Sequence, residues 1–278
     1  MIILNNKWTL IIVTSLLSFN LVACSSTPKN DDSLNSSEAD VNELSDQEEK
    51  KPLIDANQKD QGQQKNSMEK EDEQEIFLLD IFNDNSITAL VNKQHSLQEN
   101  YEPKDLVTIE VPTTLENPEV NQLRKEAADA LKSMFDMALE SDIKLYARSG
   151  YRSHNTQAML FENYAKEHGE EAANRYSARP GQSEHQTGLV MDITSESVNF
   201  QLDEAFGETR EGKWVQENAH KYGFIIRYPE GKEEITGYIY EPWHLRYLGV
   251  DIATAIYESG LTYEEFLVKE GIINEVNS

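Results

Sequence analysis

The sequence predicts an α+β fold. Its longest periodic segment, residues 118–140, repeats apolar residues at three- and four-residue steps, which is typical of an amphipathic helix. Short apolar or alternating runs that predict strands follow it, at residues 143–147, 189–193, 224–228 and 238–240. Because helices lead and strands follow, helices packed on a small antiparallel sheet are favoured over alternating β/α units.

Residues 1–24 predict a lipoprotein signal peptide. The apolar stretch at residues 8–22 is shorter than the about 20 residues that a spanning helix needs, so an uncleaved membrane anchor is the weaker alternative. It ends in small residues and Cys24, which resembles a bacterial lipobox. Cys24 is the only cysteine, so an internal disulfide is excluded. We expect a lipid on Cys24 to anchor the protein to the outer face of the bacterial cell membrane.

Residues 25–75 predict a disordered acidic linker. The segment holds 15 acidic residues, 6 basic residues and no aromatic residue. Such a composition cannot bury enough apolar surface to offset the chain entropy lost on folding. Residues 76–278 then have the size of one domain. The net charge of the chain, −25, argues against nucleic acid as a partner, because phosphates attract Lys and Arg.

Local signals predict the remaining elements in chain order. Residues 76–91 are apolar but interrupted, and predict either a short strand or a segment that leads into the fold; residues 103–112 contain a short alternating stretch. Ser153 is a capping residue for a helix that Gly169 ends. Helices are predicted at residues 153–168, 170–176, 211–222, 251–258 and 262–270, and a loop at 178–182.

Two motifs contain the residue types of a catalytic zinc site. His185 and Asp192 are seven residues apart, and a turn at Gly188 can bring both onto one metal ion. Glu241 and His244 follow about fifty residues on, in the sequence EPWH. Zinc accepts imidazole nitrogen and carboxylate oxygen, and three protein ligands leave a position open for water. We predict His185, Asp192 and His244 as ligands and Glu241 as the general base.

Two further expectations concern the segments around these motifs. Pro242 disfavours a regular strand, so Glu241 and His244 are expected on an irregular extended segment that aims both side chains inward. Arg152 lies between a predicted strand and the helix that Ser153 caps. A cation held at such a junction can stabilise the oxyanion of a tetrahedral intermediate by about 3 kcal/mol. Arg152 is therefore predicted to be catalytic.

Together the motifs resemble the VanY/LdcB-type zinc D-alanyl-D-alanine carboxypeptidases of bacterial peptidoglycan, over roughly residues 90–250. The resemblance rests on VNK (91–93), SGYRS (149–153), Gln157, RPGQSEHQTG (179–188) with Asp192, GFIIRYP (223–229) and EPWHLRY (241–247). It implies a single VanY/hedgehog-like domain that binds one Zn²⁺ through the three ligands, with the base and the arginine named above. It also implies that Ser183 and Gln157 contact the terminal D-alanine of the substrate.

The reaction that the resemblance implies is removal of the C-terminal D-alanine from peptidoglycan stem peptides by metal-activated water. Two alternatives share this chemistry: an L,D-carboxypeptidase acting on tetrapeptide stems, and a D,D-dipeptidase. A rival of another class is a non-catalytic, zinc-containing module that binds the cell wall, which the presence of Glu241 and Arg152 disfavours. We expect an extracytoplasmic monomer.

Overall fold

The computed structural model describes residues 79–276, so the predicted signal peptide, Cys24 and the acidic linker lie outside it. The strands are β1 (Leu106–Thr108), β2 (Gln122–Arg124), β3 (Tyr146–Ser149), β4 (Val190–Thr194), β5 (Phe224–Tyr228) and β6 (Glu241–Tyr247). The α-helices are α1 (Lys125–Glu140), α2 (His154–His168), α3 (Glu170–Tyr176), α4 (Arg210–Asn218), α5 (Glu233–Thr236), α6 (Val250–Ser259) and α7 (Tyr263–Lys269). Within residues 79–276 no helix has the length and apolar character to cross a bilayer.

A four-stranded antiparallel sheet lies at the centre, in the strand order β3-β4-β6-β5. Strands β1 and β2 form a separate antiparallel pair. The predicted α+β class with a small antiparallel sheet is confirmed.

The two faces of the central sheet have different characters. Successive strand residues point to opposite faces, so Met191 and Leu245 enter the main hydrophobic core with the apolar side of α1. The residues that alternate with them are polar and equally buried: Asp192, His244 and Arg246 are each 4% exposed or less. One face of the sheet therefore stabilises the fold, and the other collects ionisable groups.

A second hydrophobic cluster joins the two ends of the described chain. Helices α6 and α7 pack against Ile225 of β5, and Ile81 and Leu90 of the N-terminal segment pack with them. That segment forms turns rather than the short strand that was one of its two predictions. Helix α7 begins with a capping box between Thr262 and Glu265.

Local signals predicted α2 and α3 well. Ser153 Oγ accepts a hydrogen bond from the backbone N–H of Thr156, which satisfies a free donor of the first turn of α2. Gly169, with φ of 86°, separates the two helices. The predicted bounds of both helices match the structure to within one residue.

The predicted start of the long helix was wrong. Residues 122–124 form β2, and α1 begins only at Lys125. Leu123 continues the helical spacing of apolar residues, yet it is fully buried in a strand that pairs with β1. Burial of Leu123 is compatible with the apolar spacing of a helix and with that of a strand. Pairing with β1 decides in favour of the strand.

The EPWH segment also differs from its prediction. It is the start of the regular strand β6 rather than an irregular segment, and the strand predicted at residues 238–240 is absent. Tyr228 pairs with Glu241 whereas Ile226 pairs with Leu245, so β6 carries two more residues than β5 between these pairs. This bulge interrupts the strict alternation of the strand and accommodates Pro242.

Candidate metal centre

The backbone brings His185, Asp192 and His244 together from two strands and one turn. His185 lies in a 3₁₀ turn, Glu184–Thr187, which Gly188 ends in the left-handed conformation with φ of 68°. The predicted turn at Gly188 is confirmed, and it leads directly into β4. Because β4 pairs with β6, Asp192 lies opposite His244.

Each histidine has a ring nitrogen close to an oxygen of Asp192, and the three residues can offer ligand atoms within 4.8 Å of one another. His185 Nε2 lies 3.3 Å from Asp192 Oδ2, and His244 Nδ1 lies 3.2 Å from Asp192 Oδ1. Ligand atoms about 2.0–2.1 Å from a zinc ion at tetrahedral angles would be about 3.3–3.4 Å apart. Within residues 79–276, Asp192 Oδ1 is buried and makes no hydrogen bond of acceptable geometry, so it is available as a ligand. These three residues fit a zinc ion.

Two of the three potential ligands, Asp192 and His185, have the charge state that a divalent cation requires. Burial would raise the pKa of Asp192, but the two neighbouring imidazoles hold it well below its usual range, so the side chain is a carboxylate. Burial, together with the charge of Arg152, lowers the pKa of His185 and keeps that imidazole neutral. Burial opposes protonation of His244, but the nearby carboxylates of Asp192 and Glu184 raise its pKa to about 9. A metal ion at His244 must therefore displace a proton.

Each histidine has a partner on the ring nitrogen that faces away from Asp192. His185 Nδ1 donates to the carbonyl oxygen of Gly150 at 2.7 Å. His244 Nε2 lies 3.4 Å from Glu184 Oε2. Carbonyl and carboxylate oxygens only accept, so each leaves the opposite ring nitrogen free to bind metal.

Glu241 stands beside the three ligands without joining them. Its Oε2 lies 3.6 Å from His244 Nδ1. Burial raises the pKa of Glu241 to about 7, against the opposing charge of His244 and with the support of Asp192. A carboxyl group with a pKa near neutrality is suited to accept and return a proton.

Arg152 faces the same cavity from the start of α2. Its guanidinium donates to Gln157 Oε1 at 2.7 Å and to Ser149 Oγ at 3.1 Å. Gln157 is 1% exposed and donates in turn to the carbonyl of Ala178 at 2.6 Å. The structure thus places Gln157 behind Arg152 rather than in the cavity wall, whereas Ser183 lines the cavity.

The cavity in front of these groups has a volume of about 170 Å³. Its wall combines the polar site residues with apolar and aromatic side chains. The latter are Leu160, Tyr164, Tyr176, Leu202, Tyr228, Tyr238 and Trp243. The three ligands and Glu241 all belong to the wall of this one cavity.

Four buried charged residues next to the metal ligands were not predicted to have a role: Glu184, Arg227, Arg246 and Glu264. Each is 2% exposed or less. Arginines inside the apolar strands FIIRY and EPWHLRY were a usable signal, because a charge within a buried strand requires a partner.

Known proteins are similar to this chain in sequence and in fold. Residues 120–250 match the family model described as VanY, D-alanyl-D-alanine carboxypeptidase. YodJ of Bacillus subtilis (strain 168) is 55% identical over 190 residues, or 68% of this chain and 70% of that protein. The chain belongs to the VanY family of carboxypeptidases.

Solved structures agree with membership of the VanY family. The structure of the LdcB LD-carboxypeptidase, described for its peptidoglycan recognition, has 55% identity and a TM-score of 0.65, covering 67% of this chain and 88% of that one. A mutant of the vancomycin-resistance D,D-pentapeptidase VanY in complex with Zn(II) has 34% identity and a TM-score of 0.53, covering 64% and 97%. Zinc is therefore the metal for the site formed by His185, Asp192 and His244.

Proposed function

We propose that this VanY-family protein is a zinc carboxypeptidase that removes the C-terminal D-alanine from peptidoglycan stem peptides. One observation carries the proposal: a potential base, Glu241, lies 3.6 Å from His244 in a cavity shared with the other two ligands and Arg152. A site that only held a structural metal would need neither residue. The chemistry follows from the positions of these side chains.

His185, Asp192 and His244 would hold a zinc ion, which would supply polarisation of the scissile carbonyl and a lower pKa for the attacking water. Glu241 accepts the proton of the attacking water and returns it to the leaving amine. Arg152, held by Gln157 and Ser149, presents its guanidinium to the oxyanion. Ser183, in the cavity wall, contacts the terminal D-alanine. Gln157 acts through Arg152 in this scheme instead of touching the substrate.

Among the possible substrates we favour the tetrapeptide stem, which makes the enzyme an L,D-carboxypeptidase. The similarity to the LdcB LD-carboxypeptidase, at 55% identity, exceeds that to the D,D-pentapeptidase VanY, at 34%. This preference reverses the order of the two substrates expected from the motifs. Release of D-alanine from pentapeptide stems is the second candidate, and the family description favours it.

The test is to incubate the zinc-loaded protein with tetrapeptide and pentapeptide stems and to weigh the products. We expect loss of one alanine, faster from the tetrapeptide. Faster loss from the pentapeptide would reverse the preference. Hydrolysis of free D-alanyl-D-alanine, added as a third substrate, with neither stem shortened would identify a D,D-dipeptidase. Wall binding without turnover of any stem would overturn the proposal in favour of a binding module.

Replacing the base gives a sharper test of the mechanism. Glu241→Gln should lower the turnover number by about 10²–10⁴-fold, because the amide cannot accept the proton. Zinc content should stay unchanged, since Glu241 is not one of the ligands. The exposed Glu230→Gln variant is the matched control and should retain full activity. Full activity in the Glu241 variant would rule out the assigned base.

The substrate lies outside the cytoplasmic membrane, so we also propose an extracytoplasmic enzyme tethered through a lipid on Cys24. A membrane fraction that retains the protein, and releases it when Cys24 is changed to Ser, would support the tether. Equal release of both forms would argue against it.

A further inference from the structure

Glu184 precedes the ligand His185 in the chain but contacts the other ligand histidine. Its Oε2 lies 3.4 Å from His244 Nε2. His244 Nδ1 lies on the opposite side of the ring, 3.2 Å from Asp192 Oδ1. Carboxylate oxygens therefore lie near both ring nitrogens, but Asp192 is itself a metal ligand. With a metal ion bound at Nδ1, Glu184 is the group left to accept the ring proton, at Nε2.

The second oxygen of Glu184 is fixed by two arginines. Oε1 accepts from Arg227 Nε at 2.9 Å and from Arg246 Nη1 at 2.7 Å. Arg246 is fixed in turn by the carbonyls of Ile87 and Ala89, at 3.0 and 2.7 Å. Glu184 cannot rotate away from His244 without leaving two buried guanidinium groups with fewer acceptors.

Glu264 of α7 completes the cluster. Arg227 donates to both of its oxygens through its terminal nitrogens, one of them at 2.8 Å. Two carboxylates and two guanidinium groups, each 2% exposed or less, give a buried cluster with no net charge. This balance keeps Glu184 ionised in the interior, where a lone carboxylate would be costly.

We propose that Glu184 is a positioning residue that selects the metal-binding tautomer of His244. By accepting the Nε2–H it leaves the lone pair of Nδ1 directed at the metal, and the Arg227–Arg246–Glu264 cluster holds it there. The inference rests on the proposed function only in taking His244 as a metal ligand.

Glu184→Gln tests the tautomer directly. The amide oxygen would remain with the two arginines, which only donate, so the amide NH₂ would face His244 Nε2. That nitrogen would have to accept, and the ring proton would move to Nδ1, where it blocks the metal. We expect zinc affinity to fall by about 10–100-fold.

Glu264→Gln is the matched control. It removes the same single negative charge from the same cluster and leaves the same two arginines, but Glu264 is hydrogen-bonded to Arg227 and Asn92 rather than to His244. It should lower the stability of the protein as Glu184→Gln does. Its zinc affinity should remain within about threefold of the parent, since the tautomer of His244 is untouched.

The measurement is competition for zinc against a chelator of known affinity, on each variant at a temperature where circular dichroism shows it to be folded. An equal loss in both variants would mean that the cluster acts only through folding, and no loss in Glu184→Gln would mean that the tautomer is set elsewhere. Either result overturns the proposal.

Nitrogen NMR of the zinc-loaded parent protein supplies a second test that needs no variant. We expect the ring proton of His244 on Nε2, and a proton on Nδ1 would overturn the proposal. Both readouts are independent of substrate. A protein that shows the expected zinc affinities but hydrolyses no stem peptide would contradict the proposed function and leave the role of Glu184 intact.

Discussion

His185 and His244 occupy equivalent places at the metal centre, yet their supports differ in kind. His185 is held by a neutral backbone carbonyl, that of Gly150, 2.7 Å away. His244 is held by the carboxylate of Glu184, which two buried arginines share. The first support is part of the backbone and is present wherever the strand-to-helix junction is intact. The second depends on side chains from distant parts of the chain, so substitutions can remove it. These are Glu184, Arg227, Arg246 and Glu264.

The largest loss of stability should come from a substitution in the charged support of His244. Arg246→Met keeps the length of the side chain but leaves Glu184 with one arginine and the carbonyls of Ile87 and Ala89 without their donor. Removing one partner of a buried ion pair costs about 3–5 kcal/mol. We expect a loss of that size in the free energy of unfolding, measured by urea titration of the metal-free protein.

Arg210→Met is the control for this loss. Arg210 pairs with Asp142 at 3.3 Å, but the side chains are 65% and 86% exposed. Water screens such a pair, so the variant should change stability by less than about 0.5 kcal/mol. Similar losses at the two positions would mean that the buried cluster contributes no more than a surface ion pair.

A smaller loss of stability should come from a substitution in the backbone support of His185. A Cβ on Gly150 would lie 2.5 Å from the carbonyl oxygen of Gln122 and 2.7 Å from Met191 Cε. Gly150→Ala must therefore displace the junction, at a cost of about 1–3 kcal/mol. Because His185 donates to the carbonyl of Gly150, zinc affinity should fall with stability, which chelator competition would reveal.

Gly231→Ala separates a general glycine effect from this specific one. Its φ of 73° strains an alanine, but a Cβ there meets nothing within 4 Å. A loss of about 1 kcal/mol with unchanged zinc affinity is expected. Unchanged zinc affinity in Gly150→Ala as well would show that the carbonyl of Gly150 does not position His185.

The smallest effect should come from a carboxylate that is only half-buried. Glu119 accepts hydrogen bonds from Ser153 N at 2.7 Å and Thr156 Oγ1 at 3.0 Å, at the start of the helix that follows Arg152. Burial opposes ionisation, but these hydrogen bonds lower the pKa of Glu119 below its ordinary value. Its contribution to stability is thus present above that ordinary value, about 4.3, and is lost as the pH falls through the folded pKa.

Glu119→Gln should accordingly cost less than about 1 kcal/mol at pH 7, because water screens a half-exposed group. The difference from the parent should shrink as the pH falls through the lowered pKa of Glu119, because the parent side chain then becomes neutral as well. Thermal unfolding at pH 7 and at a series of acidic pH values checks this. A difference that grows in acid would contradict the assigned sign.

The part of the site that could be predicted consists of side chains whose chemistry is specified by short spacings. His185, Asp192 and His244 were predicted together from their residue types and from the motifs that resemble the family. The turn that brings His185 close to Asp192 is local to the chain. Ser153 at the start of α2 was predicted for a similar reason, since capping is a local hydrogen bond.

The part that could not be predicted depends on pairing over long distances. Leu123 fits the apolar spacing of a helix and of a strand equally well, and it is the pairing of β2 with β1 that makes it part of a strand. Pro242 argued against a strand, but the two extra residues in β6 accommodate it. The partners of Glu184 lie 43 and 62 residues further along the chain, and sequence spacing contains no information on which acid meets which base.

The cluster around Glu184 also has a practical consequence for where the domain can be cut. The family match covers residues 120–250, but Ile87, Ala89 and Glu264, which hold Arg246 and Arg227, lie beyond both limits. An expression boundary drawn at the matched residues would remove three partners of the arginines and leave buried charge next to a metal ligand. Recombinant versions should therefore begin before Ile87 and extend through α7, even though neither segment lines the cavity over the metal ligands.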